Sequence, residues 1–207
     1  QNQPQKNTGI LVYAGGLHLN RYQSLIQIAE ALEEQNKTEK RYTLEIYTDG
    51  KSKTLYQNAF EKFSCVTFMD YVKHDDNGSV YDRAEILVHI ETFDTAYHDF
   101  ILYSLSTKIS EYLATGIPIL LYAPGDIFVS EYLRKNCAAA VISDSDRLKD
   151  TLHRLTRDSD YRMVISQNAQ NLALEKHDLA SSLKTFETAV HNSGNNIQDK
   201  EKHHVTL

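Results

Sequence analysis

The sequence predicts a doubly wound α/β domain built on a six-stranded parallel sheet, with helices on both faces and further helices after the sheet. Three observations carry this. Six short apolar runs lie between residues 10 and 142, and helical patterns separate them. After residue 142 the apolar residues fall only at helical spacing. A chain of 207 residues with 41% hydrophobic and 24% charged side chains has the composition of one large globular domain rather than of a disordered segment.

Ile10–Tyr13 is the first predicted strand, and Tyr22, Leu25, Ile26, Ala29 and Leu32 then take the spacing of a buried helix stripe. Thr43–Tyr47 is the second strand, followed by a polar helix over about residues 51–62. Cys65–Met69 and Ile86–Ile90 are the third and fourth. A long tyrosine-rich connection leads to a helix from Thr107 to Thr115 that Gly116 can stop. Ile117–Tyr122 is the fifth strand, with Pro118 tolerable near its beginning. A helix over about 126–136 precedes the sixth, Ala138–Ile142. Strand and helix in alternation require parallel strands joined by right-handed crossovers, a Rossmann-like arrangement. Three helical stripes follow: Leu148, Leu152 and Leu155; Tyr161, Val164, Ile165 and Leu172; and Leu179, Leu183, Phe186 and Val190. The expected organisation is a linker over 1–8, a domain over 9–192 and a disordered polar tail over 193–207.

Charge and apolar runs exclude several classes of function. With 22 basic against 28 acidic side chains the net charge is −6, and a pI near 5.8 leaves no phosphate-neutralising stripe for nucleic acid. No apolar run approaches the ~18 residues that a membrane span needs. The leader Gln1–Thr8 lacks the apolar middle of a secretory signal and reads as a linker in a fragment of a larger protein. Cys65 and Cys137 both read as buried free thiols of a reducing cytoplasm, with a disulfide between them as the alternative.

In open parallel sheets ligands sit beyond the carboxyl ends of the strands, where the strand order reverses. Two loops fall there. The first is Tyr13-Ala-Gly15-Gly16-Leu-His18-Leu-Asn20-Arg21. Its paired glycines admit a ligand close to the backbone, and Arg21 offers a fork of donors to phosphate; a plain turn with a solvated Arg21 is the alternative. It is not a G-x-G-x-x-G fingerprint, which disfavours a dinucleotide. The second runs from Tyr103 to Leu120. Ser106 and Thr107 are N-cap candidates for a helix whose positive end faces the ligand edge. Lys108 in its first turn is electrostatically unfavourable unless an anion compensates it. Glu111, one turn on, can accept both hydroxyls of a ribose, or can pair with Lys108 as an exposed i,i+3 couple.

The order of elements, together with Glu111-Tyr112-Leu113-Ala114-Thr115-Gly116-Ile117-Pro118-Ile119, resembles the C-terminal, donor-binding half of GT-B glycosyltransferases over about residues 9–190. The match is to the retaining family-4 type of bacterial capsule and exopolysaccharide clusters. The resemblance implies a hexosyltransferase using a UDP- or GDP-sugar, with no metal and no other cofactor. It places Glu111 on the ribose, and Ser106, Thr107, Lys108, Gly15 and Gly16 around the diphosphate. Tyr71 and Val72 would lie against the base, and Lys108 and Arg21 would stabilise the leaving group. An N-terminal acceptor-binding domain would come from residues outside this chain, leaving the isolated domain inactive. The expected location is the cytoplasm, at most peripherally on the inner face of the membrane. The family's sugar-binding acid would fall at Tyr103, and Glu91 is only a distant substitute. That departure keeps open a non-catalytic partner-binding module of the same fold and, further off, a nucleotide-sugar epimerase.

Other patterns are weaker. His89, Glu91, Asp94 and His98 crowd one loop, but their spacing matches no metal motif. Asp144 and Asp146 fit a helix cap better than a magnesium site. Gly50-Lys51-Ser52 lacks the earlier glycine of a phosphate-binding loop.

Overall fold

Six apolar runs become six parallel strands: β1 (Ile10–Ala14), β2 (Thr43–Tyr47), β3 (Val66–Met69), β4 (Ile86–Ile90), β5 (Ile119–Tyr122) and β6 (Ala140–Ile142). This computed structural model describes residues 7–38, 41–72 and 77–177. The third C-terminal stripe, the 193–207 tail and most of the 1–8 linker therefore lie outside the described residues. The strand order is β3-β2-β1-β4-β5-β6, every pair parallel, so the doubly wound sheet is as expected. Ile10 sits opposite Thr43 and Leu87 opposite Ile119. The order reverses between β1 and β4, which opens a crevice at their carboxyl ends.

Strand periodicity sorts the core into two layers. On one face Leu11, Tyr13, Ile86, Val88, Leu120 and Tyr122 pack with α1 (Arg21–Gln35) and α7 (Leu148–Arg157). On the other, Val12, Ala14, Leu87, Ile119 and Leu121 pack with α5 (Thr107–Thr115), α6 (Phe128–Lys135) and the end of α8 (Ser159–Lys176). Leu148, Leu152 and Leu155 are buried as their spacing requires. Val164 is not: it is 54% exposed, whereas Ile165 and Leu172 of the same helix are buried.

The remaining differences are at element ends. The helix expected over 51–62 is α2 (Gly50–Tyr56) continued by a 3₁₀ turn, Gln57–Phe60. The fifth strand starts at Ile119 rather than residue 117, because Gly116 at φ 68° ends α5 and two residues carry the chain into the sheet. Two short helices, α3 (Asn77–Tyr81) and α4 (His98–Ile101), have too few turns to leave a periodic stripe. Cys65 is buried as expected, but Cys137 is exposed. It stands just past the end of α6 with φ 48°, its N–H on the Arg134 carbonyl and that of Ala138 on Leu133, the left-handed turn that ends the helix.

Candidate functional site

Two cavities meet beyond the β1 and β4 ends, and both are lined by Ala14, Gly15, Gly16 and Lys108. The smaller, about 160 Å³, extends over the β2 end to Tyr47, Thr48 and Asp49, with Tyr71, Val72 and Val80 on its far wall. The larger, about 290 Å³, extends over the β4 end to Arg21, His89, Glu91, Ser104, Ser106 and Thr107. Lys108 stands between them.

Local sequence builds each wall. Gly15 continues the β1–β2 ladder through its N–H on the Tyr47 carbonyl, 2.9 Å. Neither Gly15 nor Gly16 takes a positive φ; instead a Cβ on Gly15 would overlap the Tyr13 hydroxyl, and one on Gly16 the His18 ring. The left-handed residues of this loop are Leu19 and Asn20, φ 56° and 58°. The Asn20 amide donates to Asp94 at 2.7 Å, tying the loop to the connection after β4. Opposite, Ser106 caps α5: its hydroxyl accepts from the Lys108 N–H at 3.4 Å. The α5 N-terminus thus borders the cavity with its partial positive charge.

Charge within the crevice is unevenly paired. Arg21 donates through Nε and Nη2 to Oε2 of Glu91, at 2.8 and 2.7 Å, so it is neither a solvated turn residue nor an unengaged fork. Glu91 is 4% exposed. Burial raises its pKa, but the neighbouring His89 ring and the Arg21 guanidinium outweigh it and hold the carboxyl below the ordinary glutamate range. Lys108, by contrast, makes no ion pair with any carboxylate among the described residues. The exposed Lys108–Glu111 couple does not form. Glu111 is half-buried and accepts from the Tyr81 hydroxyl at 2.8 Å.

Of the residues singled out by sequence, Gly15, Gly16, Arg21, Tyr71, Val72, Ser106, Thr107 and Lys108 all line the crevice. Glu111 lines neither cavity. Tyr103 is 85% exposed, away from the acid that reaches the cleft, Glu91. The four residues that resembled a metal cluster are separated: Asp94 holds Asn20, His98 holds Asp126 at 3.0 Å, and only His89 and Glu91 face each other. Sequence reasoning missed Tyr47, Thr48, Asp49 and His89 as cleft residues. The available signal was their position at the ends of β2 and β4, the two strands flanking β1.

A family model for glycosyl transferase-like proteins matches residues 22–188. The chain belongs to the glycosyl transferase-like family. A comparison with curated protein sequences gives no match. Among solved structures, this glycosyl transferase-like chain is similar to WaaG, a glycosyltransferase involved in lipopolysaccharide biosynthesis, with a TM-score of 0.59 at 18% identity over 84% of this chain and 44% of that one. Anabaena Alr3699/HepE, solved with UDP-glucose, has a TM-score of 0.68 at 13% identity over 90% of this chain and 49% of that one. The C-terminal domain of a group 1 glycosyl transferase, LpcC of Francisella tularensis, gives 0.55 at 16% identity over 82% and 86%. These likenesses show the fold, that of the C-terminal half of GT-B glycosyltransferases. The glycosyl transferase-like chain spans less than half the length of WaaG and HepE. No helix among its described residues is long and apolar enough to cross a membrane.

Proposed function

We propose that this chain is the nucleotide-sugar-binding half of a retaining GT-B hexosyltransferase of bacterial capsule or exopolysaccharide synthesis, using a UDP- or GDP-sugar. The observation that carries the reading is Lys108, a cation without a carboxylate partner among the described residues, set between two joined cavities at the positive end of α5. A diphosphate is the ligand that such a place suits: it would span Gly15 and Gly16 and neutralise Lys108. The smaller cavity, with Tyr71 and Val72, would take the base, and the larger, with Glu91, the sugar. Glu111 would hold the ribose from the α5 side only by exchanging its Tyr81 hydrogen bond for the ribose hydroxyls, since it lines neither cavity in this structure. As the bond between the anomeric carbon and the diphosphate oxygen breaks, charge grows on that oxygen, and Lys108 with the α5 amides would stabilise it without reorganising. The scheme needs no metal. The acceptor-binding half would be supplied by residues outside this chain, and the isolated domain would therefore bind donor weakly and transfer nothing alone; in the cell the whole enzyme would work in the cytoplasm, at most peripherally on the membrane.

A binding module without catalysis is the second reading, favoured by the solvent-exposed Tyr103 where the family carries an acid. Calorimetric titration with UDP-glucose and GDP-mannose tests the first. Binding is expected, weakened at least about tenfold in Lys108→Ala by loss of a charge-assisted contact and abolished in Glu111→Ala. Undiminished affinity in Glu111→Ala removes the ribose assignment, and unchanged affinity in Lys108→Ala removes the diphosphate site. Donor hydrolysis or transfer by a longer chain that includes the other half would exclude the module.

A further inference from the structure

Arg21 and Glu91 meet on a single oxygen. Nε and Nη2 of Arg21 both donate to Oε2, which leaves Oε1 facing His89, whose Nε2 stands 3.6 Å away, beyond hydrogen-bond reach. The His89 side chain is only 9% exposed, and Nε2 is a buried nitrogen with no hydrogen bond. A buried polar atom in that state is costly, so His89 is placed to gain from a change beside it. Arg21, His89, Glu91, Thr107 and Lys108 all line the same cavity. An anion arriving there competes with Glu91 for the guanidinium. If Arg21 turns to the anion, Glu91 is left a buried carboxylate without its cation, which is strongly destabilising unless another cation replaces it. His89 is the group within reach.

We propose that His89 is a positioning residue for donor binding: as a diphosphate draws Arg21 from Glu91, His89 Nε2 closes on Oε1 and the ring takes up one proton from solvent. Arg21 is thereby released to the ligand while the carboxylate keeps a cationic partner. The inference rests on the donor reading above. No covalent bond is made or broken except the new N–H. The charged and titratable groups around His89 are consistent with this. Glu91 stands on its own strand. From α1 comes Arg21, with the His18 ring 3.0 Å from its Nη1. From α5 come Lys108 and Tyr112, and from β1 Tyr13, while β5 offers only Leu121 opposite. Burial pushes the Tyr13 and Tyr112 hydroxyls well up, so both stay neutral. The opposing charge of Lys108 is the one that a bound diphosphate cancels. Histidine is the side chain suited to exchange a proton near neutral pH.

The test is calorimetry of the 207-residue chain with UDP-glucose and with GDP-mannose between about pH 6 and pH 8, in buffers of different ionisation enthalpy. Both ligands are diphosphate diesters of constant charge over that range, so a proton taken up belongs to the protein. The expected result is uptake approaching one proton per bound ligand, with affinity falling up to about tenfold per pH unit as pH rises. His89→Gln should bind without uptake and without pH dependence, and His18→Gln should keep the uptake. Nitrogen chemical shifts of the His89 ring in the unmutated chain, with and without ligand, give the same reading should His89→Gln fail to fold. Binding without uptake, uptake that survives in His89→Gln, or a His89 ring unchanged by ligand overturns the exchange and leaves the donor reading standing. Failure of both sugar nucleotides to bind overturns the two together.

Discussion

Cys65 and Cys137 show how far the surroundings of one residue type can diverge. Cys65 is 3% exposed at the start of β3, with its sulfur 3.6 Å from the Ala29 carbonyl. Burial first, and the neighbouring Glu33 second, push its thiol up to about 12. Cys137 is exposed at the end of α6. A disulfide reagent at neutral pH should therefore titrate one thiol in the native chain and two after unfolding. Two fast native thiols would contradict the burial of Cys65. The sign of the pH effect follows. The unfolded thiol ionises near 8.5 while the folded one stays protonated, so stability falls as pH rises through about 8.5 towards 12. Cys65→Ala should flatten that alkaline loss.

Helix ends decide where α5 and α6 stop, and they do so with opposite economy. Gly116 accepts φ 68° freely, and it lies so close to α8 that a Cβ would overlap the Gln170 amide. Cys137 holds the corresponding left-handed place after α6 at φ 48° with a side chain that disfavours it. Gly116→Ala should destabilise by at least about 1–2 kcal/mol. Cys137→Gly should stabilise by about 0.5–1 kcal/mol, the relief of strain exceeding the added freedom of the unfolded chain. Thermal melts of the two variants measure this; equal shifts of one sign would refute the capping argument. At the other end of α5 the Ser106 cap was readable from the sequence because Ser-Thr precedes a periodic run and Gly follows it.

Across the whole molecule the sheet separates two polar assemblies, the crevice at the carboxyl ends of the strands and a buried network at the opposite edge. In the latter, Glu85 is 3% exposed and accepts from the Gly9 N–H at 2.8 Å and the Tyr42 hydroxyl at 3.0 Å. The same hydroxyl contacts the Thr156 carbonyl at 2.9 Å, and Arg162 of α8 donates to the Leu155 carbonyl at 2.8 Å while lying 3.9 Å from Glu85. β1, β2, β4, α7 and α8 are thus joined at one point. Glu85→Ala should cost about 3–5 kcal/mol, because it removes the carboxylate beside the buried Arg162 guanidinium and the acceptor of the buried Gly9 N–H. Urea unfolding should show a lower midpoint at unchanged slope. Nucleotide affinity below the transition should be unaltered, and a parallel loss of affinity would show that the two edges are coupled.

Local pattern determined the elements and their order: six strands by apolar runs, helices by stripes such as Leu148, Leu152 and Leu155, and the α5 start and stop by Ser106 and Gly116. With parallel crossovers that was enough for the layered sheet and for the two loops that meet at its reversal, including Gly15, Gly16 and Lys108. Only the tertiary structure decided how the charges pair. Arg21 lies on Glu91 seventy positions away, Glu111 turns to Tyr81 rather than Lys108, and His89 stands beside Glu91 without a bond. The physical reason is range: periodicity and caps act within a few residues along the chain, whereas ion pairing depends on which distant side chains the sheet brings within about 4 Å of each other.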